Sequence, residues 1–287
     1  MSLIAAPFHA DERAAQVLAG FGSSQGAIYD RLTEQHRAFF QALRYVLVGA
    51  LDDDGWPLAT ILSGSPGFVS APDPATLAVA AARSVLDPAA PGFQAGRDAA
   101  MLGIDLFTRR RNRVNGTLIA ADAAGFSIRV QQAFGNCPKY ITRRSAEPVA
   151  RVEGPLLRAS RLDEAARALI GGADTFFVAT RSRSEIGESG RVDISHRGGL
   201  PGFVLLEDHD SLLIPDYRGN RYLNTLGNLL GDARASLLFV DFDRGDLLQL
   251  QGEVTIDWSK SPAERRWRFK VSTMYRRPAA LPLAWHS

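Results

Sequence analysis

Residues 191–252 contain R-V-D-I-S-H-R-G-G-L-P-G-F-V-L-L-E-D-H-D-S-L-L-I-P-D-Y-R-G-N-R-Y-L-N-T-L-G-N, followed by the apolar segments S-L-L-F-V-D-F and L-L-Q-L-Q-G. Two short apolar runs, at residues 202–206 and 211–215, flank the polar tetrapeptide E-D-H-D. This pattern is typical of a β-hairpin with a polar turn. The stretch therefore predicts antiparallel strands rather than a parallel α/β sheet.

The turn that ends this hairpin, P-D-Y-R-G-N-R at residues 215–221, precedes a leucine-rich helix. It concentrates two guanidinium groups, two small side-chain acceptors and a glycine that allows a sharp turn. Basic side chains and backbone N–H groups at a helix start suit a phosphate. An isolated R-G-N-R is also typical of a solvated turn, so the turn alone leaves both interpretations open.

Part of the sequence occurs twice. P-G-F-V is found at residues 66–69 and 201–204, a shift of 201 − 66 = 135 residues. L-G-I-D-L at residues 102–106 resembles L-F-V-D-F at residues 238–242, a shift of 238 − 102 = 136. Gly116 matches Gly252 at 252 − 116 = 136. Near-constant spacing at three points indicates a duplicated unit rather than a coincidence among common strand patterns.

The two copies differ where the basic turn lies. The first half has A-A-R-S-V-L-D-P-A-A-P-G-F-Q-A-G-R-D at residues 81–98, without the R-G-N-R of the second half. We therefore expect a degenerate site in the first half.

The remaining periodicity predicts helices and antiparallel strands. Helices are predicted at residues 10–18, 32–46, 162–170 and 262–271. Strands are predicted at residues 45–51, 57–62, 113–120, 126–132, 175–180, 235–240 and 247–258.

The heptapeptide G-N-C-P-K-Y-I at residues 135–141 is the most specific motif of the chain. With the order strand, basic turn, helix, strand and strand, it makes residues 44–258 resemble the pyridoxamine 5'-phosphate oxidase-related FMN-binding proteins. The resemblance implies a mainly β (α+β) fold of tandem FMN-binding split β-barrels with short covering helices. It also favours the phosphate site over the solvated turn at residues 215–221.

The resemblance also implies a domain plan. We expect an N-terminal helical arm at residues 1–43, a first split barrel at 44–142, a linker at 143–160, and a second split barrel at 161–287. The second barrel is expected to include the phosphate-binding turn and a C-terminal helix, with the polar residues 181–190 as a lid. Two facing halves would imitate the subunit pair of simpler relatives.

The same resemblance assigns the FMN contacts to the second half. The ring is lined by Val192, Asp193, Ile194 and Ser195, with His196 available to hydrogen-bond the ring or the substrate. Pro215 and Asp216 follow the ribityl chain, Arg218, Asn220 and Arg221 hold the phosphate, and Asn224 and Gln249 reach polar edges. No catalytic residue is assigned, since the flavin carries the redox chemistry.

The basic run T-R-R-R-N-R at residues 108–113 has three interpretations: a solvated turn, a phosphate clamp or a nucleic-acid contact. Nucleic-acid binding without sequence preference needs a broad basic surface, and this chain is nearly neutral. We favour the solvated turn.

Cys137, inside the heptapeptide, is either a redox-active thiol next to Lys139 or a small buried residue in a structural connection. The structural interpretation is favoured because the chain has one Cys and so offers no resolving thiol.

Asp193, Ser195 and His196 together suggest a hydrolase. On an extended segment, however, Ser195 and His196 point to opposite faces. The sequence around Ser195 also lacks the glycines of a nucleophile elbow. We do not expect a catalytic triad.

Composition limits the remaining functions. The 33 Lys and Arg against 31 Asp and Glu give a net charge of +2, too small to argue for a nucleic-acid or membrane partner. One Cys excludes a disulfide framework and cysteine-based metal clusters, and the five His lack metal-ligand spacing. Without a signal-peptide pattern or an apolar run of about 18 residues, a cytoplasmic protein is expected.

Two functions remain open at this stage. One is an FMN-dependent oxidoreductase that acts on a small molecule, with an external electron donor or with oxygen as acceptor, and with a homodimer among the expected assemblies. The alternative is a non-catalytic flavin-binding module or a haem-related binding module.

Overall fold

The computed structural model describes residues 2–21, 26–183, 192–217, 219, 221–261 and 263–286. Four α-helices lie in these residues: α1 (Ala10–Leu18), α2 (Glu34–Ala42), α3 (Glu164–Gly172) and α4 (Asn224–Gly231). Apart from one short 3₁₀ helix, the rest of the regular structure in these residues is antiparallel β-sheet. None of the described helices is long and apolar enough to cross a bilayer.

The first half forms a seven-stranded sheet in the order β2-β1-β5-β6-β7-β4-β3. Its strands are β1 (Tyr45–Leu51), β2 (Pro57–Ser63), β3 (Val69–Asp73), β4 (Thr76–Val79), β5 (Asp98–Asp105), β6 (Arg110–Asp122) and β7 (Gly125–Gly135). A short 3₁₀ helix, Ala90–Gly92, lies between β4 and β5.

The second half repeats this sheet in the order β11-β10-β14-β15-β16-β13-β12. Its strands are β10 (Thr175–Arg181), β11 (Val192–Gly198), β12 (Leu205–Leu206), β13 (Ser211–Pro215), β14 (Arg234–Val240), β15 (Leu247–Ile256) and β16 (Arg266–Arg277). When β1 to β7 are matched in chain order with β10 to β16, the two sheets have the same strand order. The predicted duplication and the mainly β fold of tandem split barrels are confirmed.

The two halves also share a local irregularity. A β-bulge interrupts the pairing of β6 with β7 between Asn115 and Gly116, and another interrupts β15 with β16 between Gln251 and Gly252. At both glycines the facing backbone approaches too closely for a side chain. A Cβ would lie 2.0 Å from the carbonyl oxygen of Arg129 at Gly116, and 2.1 Å from that of Lys270 at Gly252.

This close approach gives a stability prediction. Gly116→Ala is expected to lower the free energy of unfolding by about 2–3 kcal/mol, because the new methyl group forces two bonded strands apart. Gly171→Ala is the matched control, since a Cβ there has no neighbour within 4 Å. Urea unfolding of the two variants checks the difference, and equal midpoints would contradict the shared bulge geometry.

The barrels pack against each other through an apolar layer. Leu47, Ile61 and Leu102 of the first half meet Phe177 and Ile194 of the second, all 6% exposed or less. Strands β1, β2 and β5 supply one side of this layer, and β10, β11 and β14 supply the other. The halves therefore face each other as an internal pseudo-dimer.

The N-terminal arm is anchored to both halves. Helix α1 lies directly on α4, where a Cβ at Gly227 would be 2.5 Å from Cα of Glu12. Gln132 of the first barrel donates from Nε2 to the carbonyl oxygen of Pro7 at 2.9 Å. The predicted helix at residues 10–18 is confirmed as α1.

Two predicted helices and the predicted linker differ from the structure. The helix predicted at residues 262–271 is wrong: Trp267, Phe269 and Val271 alternate with charged residues and point inward from strand β16. The helix predicted at residues 32–46 is shorter, because Thr33 caps its start and β1 begins at Tyr45.

Residues 143–160, predicted as a linker, contain two short strands. These are β8 (Ser145–Pro148) and β9 (Leu157–Ala159). β8 pairs with β17 (Leu283–His286), and β9 pairs with β16. The segment is thus tied to the C-terminal part of the second half. The predicted lid falls mostly on residues 184–190, which lie outside the described residues.

Candidate functional site

A cationic pocket opens between the two halves, where the end of β11 and the residues after β13 face the start of β6 and the residues after β7. Its lining residues are Arg111, Arg113, Asn136, Cys137, Lys139, Tyr140, Ser195, His196, Arg197, Gly198, Phe203, Pro215, Tyr217 and Gly219. Four of these carry a permanent positive charge and, of the described lining residues, none is acidic. The pocket is therefore suited to an anionic ligand.

Arg113 is the most deeply held of the four cations. Its Nη1 donates to both carboxylate oxygens of Asp193, at 2.7 and 2.9 Å, and its Nη2 donates to Ser195 Oγ at 2.8 Å. The arginine belongs to the first half, whereas Asp193 and Ser195 belong to the second. This buried ion pair joins the halves at the floor of the pocket.

The N-terminal arm extends the same network. Nη1 of Arg113 also reaches Asn224 Oδ1 at 3.3 Å, and Asn224 Nδ2 donates to Glu12 Oε1 at 2.5 Å. Burial raises the pKa of the Glu12 carboxyl above its usual value. The arm, α4 and both barrels thus share one hydrogen-bonded cluster behind the pocket.

His196 and Arg111 form the middle of the pocket. Arg111 Nη1 lies 3.2 Å from His196 Nδ1, and an arginine can only donate. Nδ1 is therefore the acceptor, and Nε2 of the neutral ring carries the proton. Burial, together with Arg111 and Arg197, holds the pKa of His196 well below its usual range, and burial lowers the pKa of Arg111 to about 10.

Arg197 lies one residue further along β11, and its side chain is 10% exposed. Its Nη1 is 3.6 Å from Asp216 Oδ1, and Arg265 Nη1 is 3.4 Å from the other oxygen of that carboxylate. Burial lowers the pKa of Arg197 and raises that of Asp216. Asp216 therefore orients Arg197 from behind the pocket.

Several buried polar atoms around the pocket lack a hydrogen-bond partner within the part of the chain that the structure describes. They are Arg111 Nε, Arg113 Nε, Asn136 Oδ1, His196 Nε2, and Nε and Nη2 of Arg197. Leaving a buried donor unpaired costs about 1–3 kcal/mol, so such a group in a native structure calls for a partner. Four of the five side chains are donors that an anion would satisfy.

The G-N-C-P-K-Y-I heptapeptide forms the wall that the first half contributes. Asn136, Cys137, Lys139 and Tyr140 all line the pocket. The carbonyl oxygen of Tyr140 lies so close to β11 that a Cβ at Gly198 would be 2.0 Å away. The interpretation of this segment as a purely structural connection is therefore incomplete. Cys137 is a half-buried free thiol.

The structure brings some of the predicted site residues to the pocket. Ser195, His196 and Pro215 line it, and Asp193, Asp216 and Asn224 lie directly behind it in the networks described above. Ser195 Oγ accepts from Arg113 and Thr225, whereas His196 contacts Arg111. Ser195 and His196 thus have separate side-chain partners, although both line the pocket.

Other predicted site residues lie elsewhere. Val192 and Ile194 are 1% and 0% exposed in the apolar layer between the barrels, because alternate residues of β11 point to opposite sides. Gln249 is fully buried and donates from Nε2 to Ala59 O at 2.9 Å, away from the pocket. The side chains of these three residues thus do not line the pocket, and their flavin contacts stay predictions.

The predicted phosphate turn is only partly visible. Arg218 and Asn220 lie outside the described residues. Gly219, between them, has φ 143° and lines the pocket, so the turn reaches this site. Arg221 is exposed after the turn. The phosphate contacts of Arg218, Asn220 and Arg221 stay predictions.

Sequence reasoning missed the basic residues that come from the first half. Arg111 and Arg113 lie in β6 and not in a solvated turn, so that interpretation of T-R-R-R-N-R is wrong for these two residues. Because the two residues are two positions apart, both side chains lie on one face of a strand. The predicted strand began at residue 113 and therefore did not include Arg111. Their partner, β11, is distant in sequence and gave no local signal.

The duplication creates a second, pseudo-equivalent position, where the counterparts of β6 and β11 come from the opposite halves. Several charged or polar side chains of the pocket are replaced there. With the shift of 136, Arg111 corresponds to Leu247 (247 − 136 = 111). With the shift of 135, His196 corresponds to Ile61 (196 − 135 = 61) and Arg197 to Leu62 (197 − 135 = 62). Three charged or polar pocket residues are thus aliphatic in the second copy of the site.

Ion pairs fill that second position. Asp87 accepts hydrogen bonds from Thr60 Oγ1 and from Gln249 Nε2, the latter at 3.1 Å. Arg277 reaches Asp87 at 3.1 Å and Glu153 at 2.8 Å. Basic and acidic side chains are thus paired at the second position, whereas the described lining of the pocket has four cations and no acid.

A comparison with protein families matches residues 162–282 to the family described as pyridoxamine 5'-phosphate oxidase. The match covers the second barrel and confirms there the resemblance predicted from the sequence. It does not include residues 135–141, so the narrower resemblance to proteins with G-N-C-P-K-Y-I stays a prediction. No relative of the chain was found among curated proteins.

Solved structures with a similar fold cover less than half of this chain. An FMN-binding protein from Syntrophomonas wolfei is 14% identical and covers 38% of this chain and 86% of its own, with a TM-score of 0.27. A FAD-binding protein from Mesorhizobium loti is 10% identical, covering 44% and 99%, with a TM-score of 0.31. HutZ, the heme storage protein from Vibrio cholerae, is 12% identical, covering 40% and 95%, with a TM-score of 0.27. Likenesses this weak identify neither ligand nor reaction.

Proposed function

We propose that this chain binds FMN in the cationic pocket and acts as an oxidoreductase on a small molecule, in keeping with the match of residues 162–282 to the pyridoxamine 5'-phosphate oxidase family. The observation that carries the proposal is a set of buried donors on Arg111, Arg197 and His196 that find no hydrogen-bond partner among the residues the structure describes. They surround a pocket whose described lining contains four permanent cations and no acid.

The residues present fit the two ends of an FMN molecule. The phosphate end fits Arg197, Lys139 and the turn at Gly219, because guanidinium and ammonium groups bind phosphate through charge-assisted hydrogen bonds. The polar edge of the ring fits Ser195, Arg113 and the Nε2–H of His196. These residues come from both halves, as expected for a site built by a pseudo-dimer.

A bound flavin would supply the electron transfer, and the protein would hold and orient it. Arg113, held by Asp193, would keep a positive charge beside the ring. His196 stays neutral near pH 7 because its pKa is lowered, so it serves as a hydrogen-bond donor and not as an acid. The reducing equivalents would come from an external donor, with oxygen or a small molecule as acceptor.

The haem-related alternative uses the same buried imidazole. A haem iron would need a lone pair on His196 Nε2, yet the donation from Arg111 to Nδ1 leaves the proton on Nε2. Iron binding would require the loss of that contact. The geometry therefore supports an acceptor atom of the ligand near Nε2, as the flavin provides.

The absorption spectrum of the purified chain tests the proposal. We expect the two flavin bands in the visible region, and release of FMN on denaturation. A Soret band would support the haem-related function instead. A colourless protein that also fails to quench the fluorescence of added FMN would overturn flavin binding.

We expect one flavin per chain and not two. The described lining of the pocket between β11 and β6 has four cations and no acid, whereas the pseudo-equivalent position is occupied by the ion pairs of Arg277 with Asp87 and Glu153. The ratio of extracted FMN to protein by amino-acid analysis measures this. A ratio near two would show that the second position opens, and an Arg277→Ala chain would then be the next preparation to analyse.

A further inference from the structure

The outer end of the pocket is crossed by two stacked tyrosines, one from each half. The rings of Tyr140 and Tyr217 lie 5.0 Å apart with an interplanar angle of 22°. Phe203 stacks behind Tyr217 at 6.2 Å. Tyr140 is 44% exposed and Tyr217 39% exposed, and both line the pocket. The pair therefore lies at the rim of the pocket, in contact with solvent.

The backbone holds Tyr140 in this position at a cost. Its φ of 61° is left-handed, a conformation that is rare for a bulky residue and stores about 1–3 kcal/mol of strain. The close approach of its carbonyl oxygen to Gly198 fixes the segment against β11. A strained, partly exposed aromatic residue that contributes little to a core indicates a function at the pocket mouth.

A cation lies next to the stacked pair. Lys139 is exposed, and its Cδ would lie 3.4 Å from a Cβ placed on Gly219. Gly219 belongs to the turn that the sequence predicts for the phosphate. The first half thus places the side chain of Lys139 beside Gly219 of the second half, where both residues line the pocket.

We propose that residues 136–140 select a flavin that ends in a phosphate monoester, with Lys139 binding the terminal phosphate and the Tyr140–Tyr217 pair excluding a longer cofactor. This inference rests on the proposed function and adds specificity to it. The cationic mouth raises the affinity for FMN relative to riboflavin, which has no phosphate. The stacked pair obstructs the adenylate part that distinguishes FAD from FMN.

The charge part is tested by Lys139→Gln, with Lys260→Gln as the matched control. Lys260 is an exposed lysine that does not line this pocket. We expect Lys139→Gln to weaken FMN binding about tenfold, the effect of one charge-assisted hydrogen bond, and riboflavin binding less than about twofold. Fluorescence titration of the flavin-free protein measures both. Equal weakening of FMN and riboflavin, or none, overturns this role of Lys139.

The steric part is tested by Tyr217→Ala, with Tyr217→Phe as the control that keeps the stacked ring. We expect Tyr217→Ala to raise the affinity for FAD relative to FMN by about tenfold or more, and Tyr217→Phe to leave the ratio unchanged. Both variants should keep the melting temperature within a few degrees, since the side chain is 39% exposed. An unchanged ratio in Tyr217→Ala overturns the exclusion of FAD.

Flavin binding by the wild-type chain distinguishes a failure of the proposed function from a failure of the selection by residues 136–140. If it binds no flavin, the proposed function fails. If it binds FMN tightly while both variants behave like their controls, only the selection by residues 136–140 fails. If Tyr217→Ala weakens FMN and riboflavin equally, the flavin ring itself rests on the tyrosines, and the proposed exclusion is wrong.

Discussion

Asp193→Ala is expected to lower the free energy of unfolding by about 3–5 kcal/mol, because it leaves the guanidinium of Arg113 buried without its carboxylate. The two side chains are 2% and 6% exposed and are joined by contacts of 2.7 and 2.9 Å. The pair links β11 of the second half to β6 of the first. Its loss should therefore weaken the contact between the two barrels, and it should also disturb the base of the pocket.

Asp53→Ala is the matched control for this prediction. Asp53 forms an ion pair with Arg97 at 2.7 Å, but its side chain is 70% exposed. Exposed pairs contribute about 0–1 kcal/mol, so the control should unfold near the wild-type midpoint. Urea unfolding compares the two variants. Equal midpoints would mean that solvent or other groups compensate Arg113, and that the pair is not a structural joint.

Replacing both partners separates stability from function. Removing a buried pair in favour of apolar residues is often neutral, so Arg113→Met with Asp193→Leu should recover much of the lost stability. The double variant should nevertheless bind FMN weakly, because the positive charge beside the ring is gone. Recovery of FMN binding along with stability would show that Arg113 acts only through folding.

Arg197→Ala is expected to weaken FMN binding by about two orders of magnitude. Truncating one partner of a desolvated charge pair typically costs about 2–5 kcal/mol, and each 1.4 kcal/mol is a factor of ten. Arg197 is 10% exposed, and its Nε and Nη2 are unpaired within the described residues. Asp216 would still face Arg265 at 3.4 Å, so we expect little unfolding.

Riboflavin and an exposed arginine provide the controls for Arg197. Riboflavin lacks the phosphate, so its affinity should fall much less in Arg197→Ala. Arg161→Ala removes a side chain that is 78% exposed and should leave both affinities unchanged. Arg197→Lys should give an intermediate loss for FMN, since it keeps the charge without the planar fork. If FMN and riboflavin weaken equally, Arg197 does not bind the phosphate.

The repeat was predictable because a duplicated fold keeps its spacing. The shift of 135–136 residues predicted matching strands, and the sheets have the same order and the same bulge at Gly116 and Gly252. The predicted helix at residues 262–271 was wrong because local charge and length favoured a helix, while the alternation of Trp267 and Phe269 indicated a strand. The segment forms strand β16 because it pairs with β15.

The site was predictable only where one local stretch supplies it. Ser195, His196 and Pro215 lie within residues 191–252 and line the pocket. Arg113, Lys139 and their neighbours come from the other half, and their contacts depend on how two barrels pack. The sequence also did not indicate that Gln249, a polar residue on a strand, bonds to Ala59 and Asp87 between the barrels.

Whether the phosphate lies inside the cationic pocket is tested by ³¹P NMR of FMN bound to the wild-type chain between pH 5 and 8. A free phosphate monoester takes up its second proton near pH 6, and its resonance shifts with it. In a pocket with four cations and no acid among its described lining residues, the dianion is favoured, so its pKa should fall and the resonance should stay constant across this range. A bound signal that follows the titration curve of free FMN would contradict the account, because it would place the phosphate in solvent and outside the pocket.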